Sequence, residues 1–86
     1  MLTKNDVLST IKTNMILVME EFDEAGFDPI KSMRDHGANS LEMIEIVSRT
    51  MRQLGVKVPR VRLNRVNNID ELANEFVLVV SAPERG

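Results

Sequence analysis

Asp35-His36-Gly37-Ala38-Asn39-Ser40-Leu41 is a polar turn that runs directly into a strongly amphipathic segment. Gly37 permits a sharp reversal of the backbone, and Asn39 is a favoured N-cap residue. Glu42 stands where its carboxylate can reach back to the N–H of the cap. Ser40 therefore falls in the first turn of a helix. Its hydroxyl is not needed for capping, and it lies at a helix N-terminus whose free N–H groups and dipole favour an anion. A phosphate attached to Ser40 would be well placed; the plain alternative is an exposed serine with no further role.

Outward from this turn the chain reads as helices. Ser40 to about Leu54 forms one, stopped by Gly55, with Leu41, Ile44, Val47, Met51 and Leu54 as its expected buried stripe. Met43 and Ile46 fall beside that stripe, where they border the core; Met43, one turn on from Ser40, is alternatively an exposed apolar contact for partner enzymes. Glu45 and Arg49 are spaced for a weak surface pair. Upstream, Thr3-x-x-Asp6 is a capping signal, and Val7, Leu8, Ile11, Met15, Val18 and Phe22 predict a first helix over Lys4 to Glu21. Its acidic end, Glu20, Glu21, Asp23 and Glu24, is a solvated face or a contact for a basic partner, with Gly26 and Pro29 as breakers. A long connection, Asp23 to Asn39, follows, pegged by Phe27, Ile30 and Met33.

Downstream, Val56 to Leu63 alternates apolar and basic residues and by period alone would be a strand, but no second segment is available to pair with it. An extended linker and a short helix around Val61 to Val66 is the expected outcome. Asn68-x-x-Glu71 repeats the capping box and opens a last helix with Ile69, Leu72, Ala73, Phe76, Val77 and Val80 turned inward. The expected fold is all-α: a small four-helix bundle with a long first loop and a short third helix, residues 1–80 forming the domain and 81–86 a flexible tail.

Composition narrows the chemistry. With 86 residues, 43% of them hydrophobic, the chain supports one small core. Having no cysteine and one histidine, it offers neither disulfides nor a cluster of metal ligands, so thiol chemistry must come from a prosthetic group. No apolar run is long enough to span a bilayer, and Met1-Leu2-Thr3-Lys4-Asn5-Asp6 lacks the order of a signal peptide, so no membrane association and a cytoplasmic location are expected. Charge is unevenly placed. Arg49, Arg52, Lys57, Arg60, Arg62 and Arg65 give the stretch between Ile46 and Ile69 a charge of +6, against −8 for the remainder. With 3% aromatics and no Trp or Tyr to stack bases, this run does not predict nucleic-acid binding; it is a solvated face or a docking surface for acidic proteins. Asp35, His36 and Ser40 have the residue types of a catalytic triad, but such close neighbours at a helix start lack its geometry. His36 is read as a loop residue or a contact to a bound phosphate or partner.

Asp-x-Gly-x-Asn-Ser-Leu opening an amphipathic helix resembles the phosphopantetheine attachment site of acyl carrier proteins. The likeness continues without a gap from Ser40 to Phe76, through Val58-Pro59 and Ile69-Asp70-Glu71-Leu72. It implies an acyl-carrier-type bundle that is not an enzyme. A 4'-phosphopantetheine arm on Ser40 would be installed by a phosphopantetheinyl transferase and would carry an acyl group as a thioester. Fatty-acid carriers are acidic along the second helix and into the third; this chain keeps only Glu42 and Glu45 of that pattern and then turns basic. Val58-Pro59-Arg60-Val61-x-Leu63 and Asn68-Ile69-x-Glu71-Leu72-Ala73, joined to Gly37-Ala38-Asn39-Ser40, resemble the freestanding carriers of polyketide β-branching cassettes. Such carriers present a short acyl group, commonly acetyl, to an enzyme related to HMG-CoA synthase. The expected partner contacts of a monomer are Asn39, Leu41, Glu42, Met43 and Glu45 around the serine and, from the charge reversal, Arg49, Arg52, Arg60, Arg62 and Arg65 along the basic stretch. Other polyketide or fatty-acid synthase enzymes are alternative partners, for a general fatty-acid or polyketide-extension carrier. A helical interaction module that carries nothing is the remaining possibility.

Overall fold

The computed structural model describes residues 2–81. Four α-helices, α1 (Lys4–Val18), α2 (Ser40–Leu54), α3 (Arg60–Leu63) and α4 (Ile69–Ser81), are joined by loops with no strand among the described residues. Val56 to Pro59 is an extended linker, as expected for a segment without a pairing partner. The expected tail lies outside the described residues, apart from Ser81, which ends α4.

Local chemistry sets the helix boundaries. Thr3 and Asp6 form a reciprocal capping box on α1, and Asn39 and Glu42 form one on α2. The third box is offset: Asn68 Oδ1 accepts from the Glu71 N–H, but the Glu71 carboxylate accepts from Asn67 rather than from the cap residue. α1 ends at Val18, short of Glu21, because Met19 turns to extended backbone; Phe22 leaves the helix to meet the Phe27 ring edge-on at 6.3 Å. α3 occupies Arg60–Leu63 rather than Val61 to Val66, with Pro59 at its N-cap.

The core joins Val7, Ile11 and Met15 of α1, Ile46 of α2, and Ile69, Leu72, Ala73 and Phe76 of α4. Each large aliphatic or aromatic side chain there contributes about 1.5–3 kcal/mol through burial. α2 is rotated relative to the predicted stripe. Ile46 is 0% exposed and Thr50 is buried beside it, whereas Leu41 is 78% and Ile44 64% exposed; Val47, Met51 and Leu54 are half-buried. The rotation is possible because Thr50 has its polar needs met: its hydroxyl donates to the Ile46 carbonyl at 2.8 Å and accepts from buried Asn14 at 2.9 Å. Val80, expected inward, is exposed near the end of α4.

The long loop is fastened at both ends of its course. Met33 and Ala38 are buried and Phe27 is half-buried, but Ile30, expected as a peg, is 77% exposed. Around Ile30 the backbone is held instead: Pro29 and Lys31 carbonyls accept from the Asp70 and Ile69 N–H groups, at 2.8 and 3.0 Å, satisfying donors at the start of α4. The Lys4–Asp70 ion pair, 2.7 Å, joins the first turns of α1 and α4.

Candidate functional site

Ser40 is the first residue of α2, and its position is built by its neighbours. Gly37 has φ of +102°, a left-handed conformation that glycine adopts without strain, and it turns the chain into the cap. Asn39 Oδ1 then accepts from the Glu42 N–H at 2.8 Å, and Glu42 accepts from the Asn39 N–H at 2.9 Å. Ser40 and Leu41 are exposed residues, and neither the Ser40 hydroxyl nor the N–H groups of Ser40 and Leu41 have a hydrogen-bond partner among the described residues. An exposed nucleophilic oxygen beside unpaired helix N-terminal donors suits a phosphodiester: the donors and the dipole stabilise its charge.

His36 does not belong to this chemistry. Its Nε2 accepts from the Asp28 N–H at 3.0 Å and its Nδ1 donates to the Ser32 carbonyl at 2.7 Å, while Phe22 and Phe27 flank the ring at 5.9 and 5.8 Å. Both ring nitrogens are occupied within the loop, so the residue is a clamp rather than a base or a phosphate contact. Asp35 is likewise engaged, accepting from the Ser32 N–H at 3.1 Å, and that bond holds its carboxyl below the usual range. This arrangement rules out a triad through Ser40.

One helical turn beyond Ser40, Met43 reaches a cavity of about 480 Å³ between α2, α3 and α4. Met43, Ile44 and Val47 line it from α2, Leu63 from α3, and Ile69 and Leu72 from α4. Met43 packs against the core, so the exposed apolar contact beside Ser40 consists of Leu41 and Ile44. The lining residues come from three helices whose packing no local pattern in the sequence reveals. Of the predicted partner contacts, Asn39, Leu41, Glu45, Arg52, Arg60, Arg62 and Arg65 are exposed; Glu42, Met43 and Arg49 are half-buried. Glu45 and Arg49 form the expected pair at 3.3 Å.

Residues 9–76 match the phosphopantetheine attachment site family, whose prosthetic group is 4'-phosphopantetheine. The chain is also 34% identical over 70 residues to the polyketide biosynthesis acyl-carrier-protein AcpK of Bacillus subtilis (strain 168), covering 81% of this chain and 85% of that protein. No solved structure matches it. Among the described residues no helix is long and apolar enough to cross a membrane. The capped helix start, the matched family and this relative together make the chain a member of the acyl carrier protein family, a carrier of acyl groups rather than a catalyst.

Proposed function

We propose that Ser40 carries the phosphopantetheine arm and that the chain serves polyketide biosynthesis as a donor of a short acyl group, acetyl, to an HMG-CoA-synthase-like β-branching enzyme. The observation that carries the assignment is the exposed, unbonded Ser40 hydroxyl at a helix start already capped by Asn39. When bound, the arm supplies a terminal thiol, which a chain without cysteine lacks. The protein's own residues do the rest. Gly37 and Asn39 hold Ser40 outward, the unpaired Ser40 and Leu41 N–H groups would hold the phosphate, and the cavity behind Met43 would offer shelter from water. The polyketide assignment draws on the likeness to the Bacillus carrier. The donor role draws on the resemblance of Val58-Pro59-Arg60-Val61-x-Leu63 and Asn68-Ile69-x-Glu71-Leu72-Ala73 to β-branching carriers, and the chain turning basic beyond Glu45 departs from the fatty-acid pattern.

In this reading the phosphopantetheinyl transferase meets Asn39, Leu41, Glu42 and Glu45 around the hydroxyl, and the synthase meets unpaired cations of the basic stretch further along. The work is done in the cytoplasm, where coenzyme A is at hand. A general fatty-acid or polyketide-extension carrier is favoured by one observation, the cavity of about 480 Å³, which is far larger than an acetyl group requires.

Incubation with coenzyme A, Mg²⁺ and a broad-range transferase, followed by intact-mass analysis, tests the attachment. The wild-type chain gains one arm, whereas Ser40→Ala stays folded and gains none; an arm on Ser40→Ala would defeat the assignment. Transfer assays with acetyl- and octanoyl-loaded carrier then separate the two cargo readings, since a β-branching donor delivers acetyl to the synthase-like enzyme and an extension carrier does not.

A further inference from the structure

We propose that Arg52, Lys57 and Arg60 form a docking face for an acidic protein surface, and that Arg49 and Arg62, although in the same basic stretch, are not part of it. This deepens the carrier reading above and rests on it for the identity of the partner. Arg49 is bonded to Glu45 at 3.3 Å, and Arg62 to Glu75 at 2.9 Å, so each has a counter-charge within the molecule. Arg52, Lys57 and Arg60 are exposed and form no ion pair among the described residues.

Arg65 is also exposed and unpaired among the described residues, but it borders neither depression, whereas the other three are brought together by the fold. Arg52 and Lys57 border a cleft of about 330 Å³ where α2 ends. Arg60 and Ile44 border the larger cavity between the helices. Ser48 and Met51 line both, so the two depressions meet there with the cations around them. Apolar surface completes the face, since Ile44 is exposed and Val61, next to Arg60 on α3, is 63% exposed.

An apolar centre within a charged rim is the anatomy of a protein interface, and the free cations set the sign required of the partner. Nucleic acid fits poorly because no aromatic side chain is present on this face: Phe22 and Phe27 pack around His36, and Phe76 is in the core. An anionic membrane fits poorly as well, since α3 is only four residues long and offers no extended apolar stripe to a bilayer.

The test uses the isotope-labelled full chain, with poly-L-glutamate as a generic acidic probe and phosphatidylglycerol vesicles as the lipid probe. Polyglutamate should shift the amide resonances of Arg52, Lys57, Arg60 and Val61, and the response should fade as salt shortens the screening length to about 8 Å. Arg52→Glu/Lys57→Glu/Arg60→Glu should weaken that response, and acyl transfer to an HMG-CoA-synthase-like enzyme at subsaturating carrier, by about tenfold or more, as the sum of several surface pairs. Arm attachment should be unchanged. The neutral Arg49→Gln/Arg62→Gln variant should retain both activities within about twofold. If the reversed variant is unfolded by circular dichroism, Arg52→Gln/Lys57→Gln/Arg60→Gln replaces it with the same expectation.

Wild-type transfer and response in the folded triple variant would overturn the proposal, as would a larger loss in Arg49→Gln/Arg62→Gln or tighter binding to vesicles than to polyglutamate. A wild-type chain that takes no arm would remove the carrier reading alone, because the polyglutamate titration is made on the unloaded chain and judges the face independently.

Discussion

Asn39 caps α2, so the adjacent Ser40 hydroxyl is not needed for that task. Asn39→Ala removes the acceptor of the Glu42 N–H and should cost about 1 kcal/mol, seen as a fall of about 4–8 °C in melting temperature. Two aspartates make the loop and α1 sensitive to acid. Asp6 accepts from the Thr3 N–H and Asp35 from the Ser32 N–H, and these backbone bonds lower both carboxyl groups below the ordinary value of 3.8. Because the folded values are the lower ones, the stabilisation is complete above the unfolded value and is lost as pH falls through the folded ones. Thermal melts across the acid range should therefore drop below about pH 4, less steeply for Asp35→Asn, which has no charge to lose.

At the scale of the element, α2 has two apolar rows, and packing selects one. Ile46 and Thr50 face the core, while Leu41 and Ile44 face solvent near the Ser40 end of the helix. Ile46→Ala should cost about 2–5 kcal/mol by leaving a cavity. Ile44→Ala should lie within about 0.5 kcal/mol of wild type, because its side chain is already exposed. Urea denaturation of the two variants decides between this register and the one that apolar spacing suggests: equal losses would mean the helix is turned the other way. The first-turn location of Ser40 was legible in sequence because a cap is a local motif, decided by residues within hydrogen-bonding reach along the chain. The rotation of α2 was not, because it depends on a threonine being acceptable in the core.

For the molecule as a whole, α1 and α2 are joined by more than apolar burial. Asn14, 0% exposed, donates through Nδ2 to Thr50 Oγ1 and Gln53 Oε1, both at 2.9 Å, while its own Oδ1 finds no partner among the described residues. An unsatisfied buried carbonyl costs about 1–3 kcal/mol, which offsets much of what the two bonds contribute. Asn14→Leu with Thr50→Val exchanges the polar contact for an apolar one of similar shape and should change stability by less than about 1 kcal/mol in chemical denaturation. Asn14→Asp, which adds a charge in the same enclosed place, should cost several kcal/mol.

Sequence alone determined the helical class, the capped start that presents Ser40, the linker at Val56 to Pro59 and the Glu45–Arg49 pair. All of these are settled by neighbours along the chain, through cap donors, turn geometry and the absence of a pairing strand. Only the tertiary structure decided which face of α2 is buried, that Ile30 is exposed while its neighbouring carbonyls hold the start of α4, and that His36 clamps the loop. It also separated the paired arginines from the free ones, since the counter-charge of Arg62 is Glu75 on another helix. The physical reason is the same in each case: a buried or bonded state belongs to a pair of groups, and where the partner is distant in sequence no local pattern can identify it.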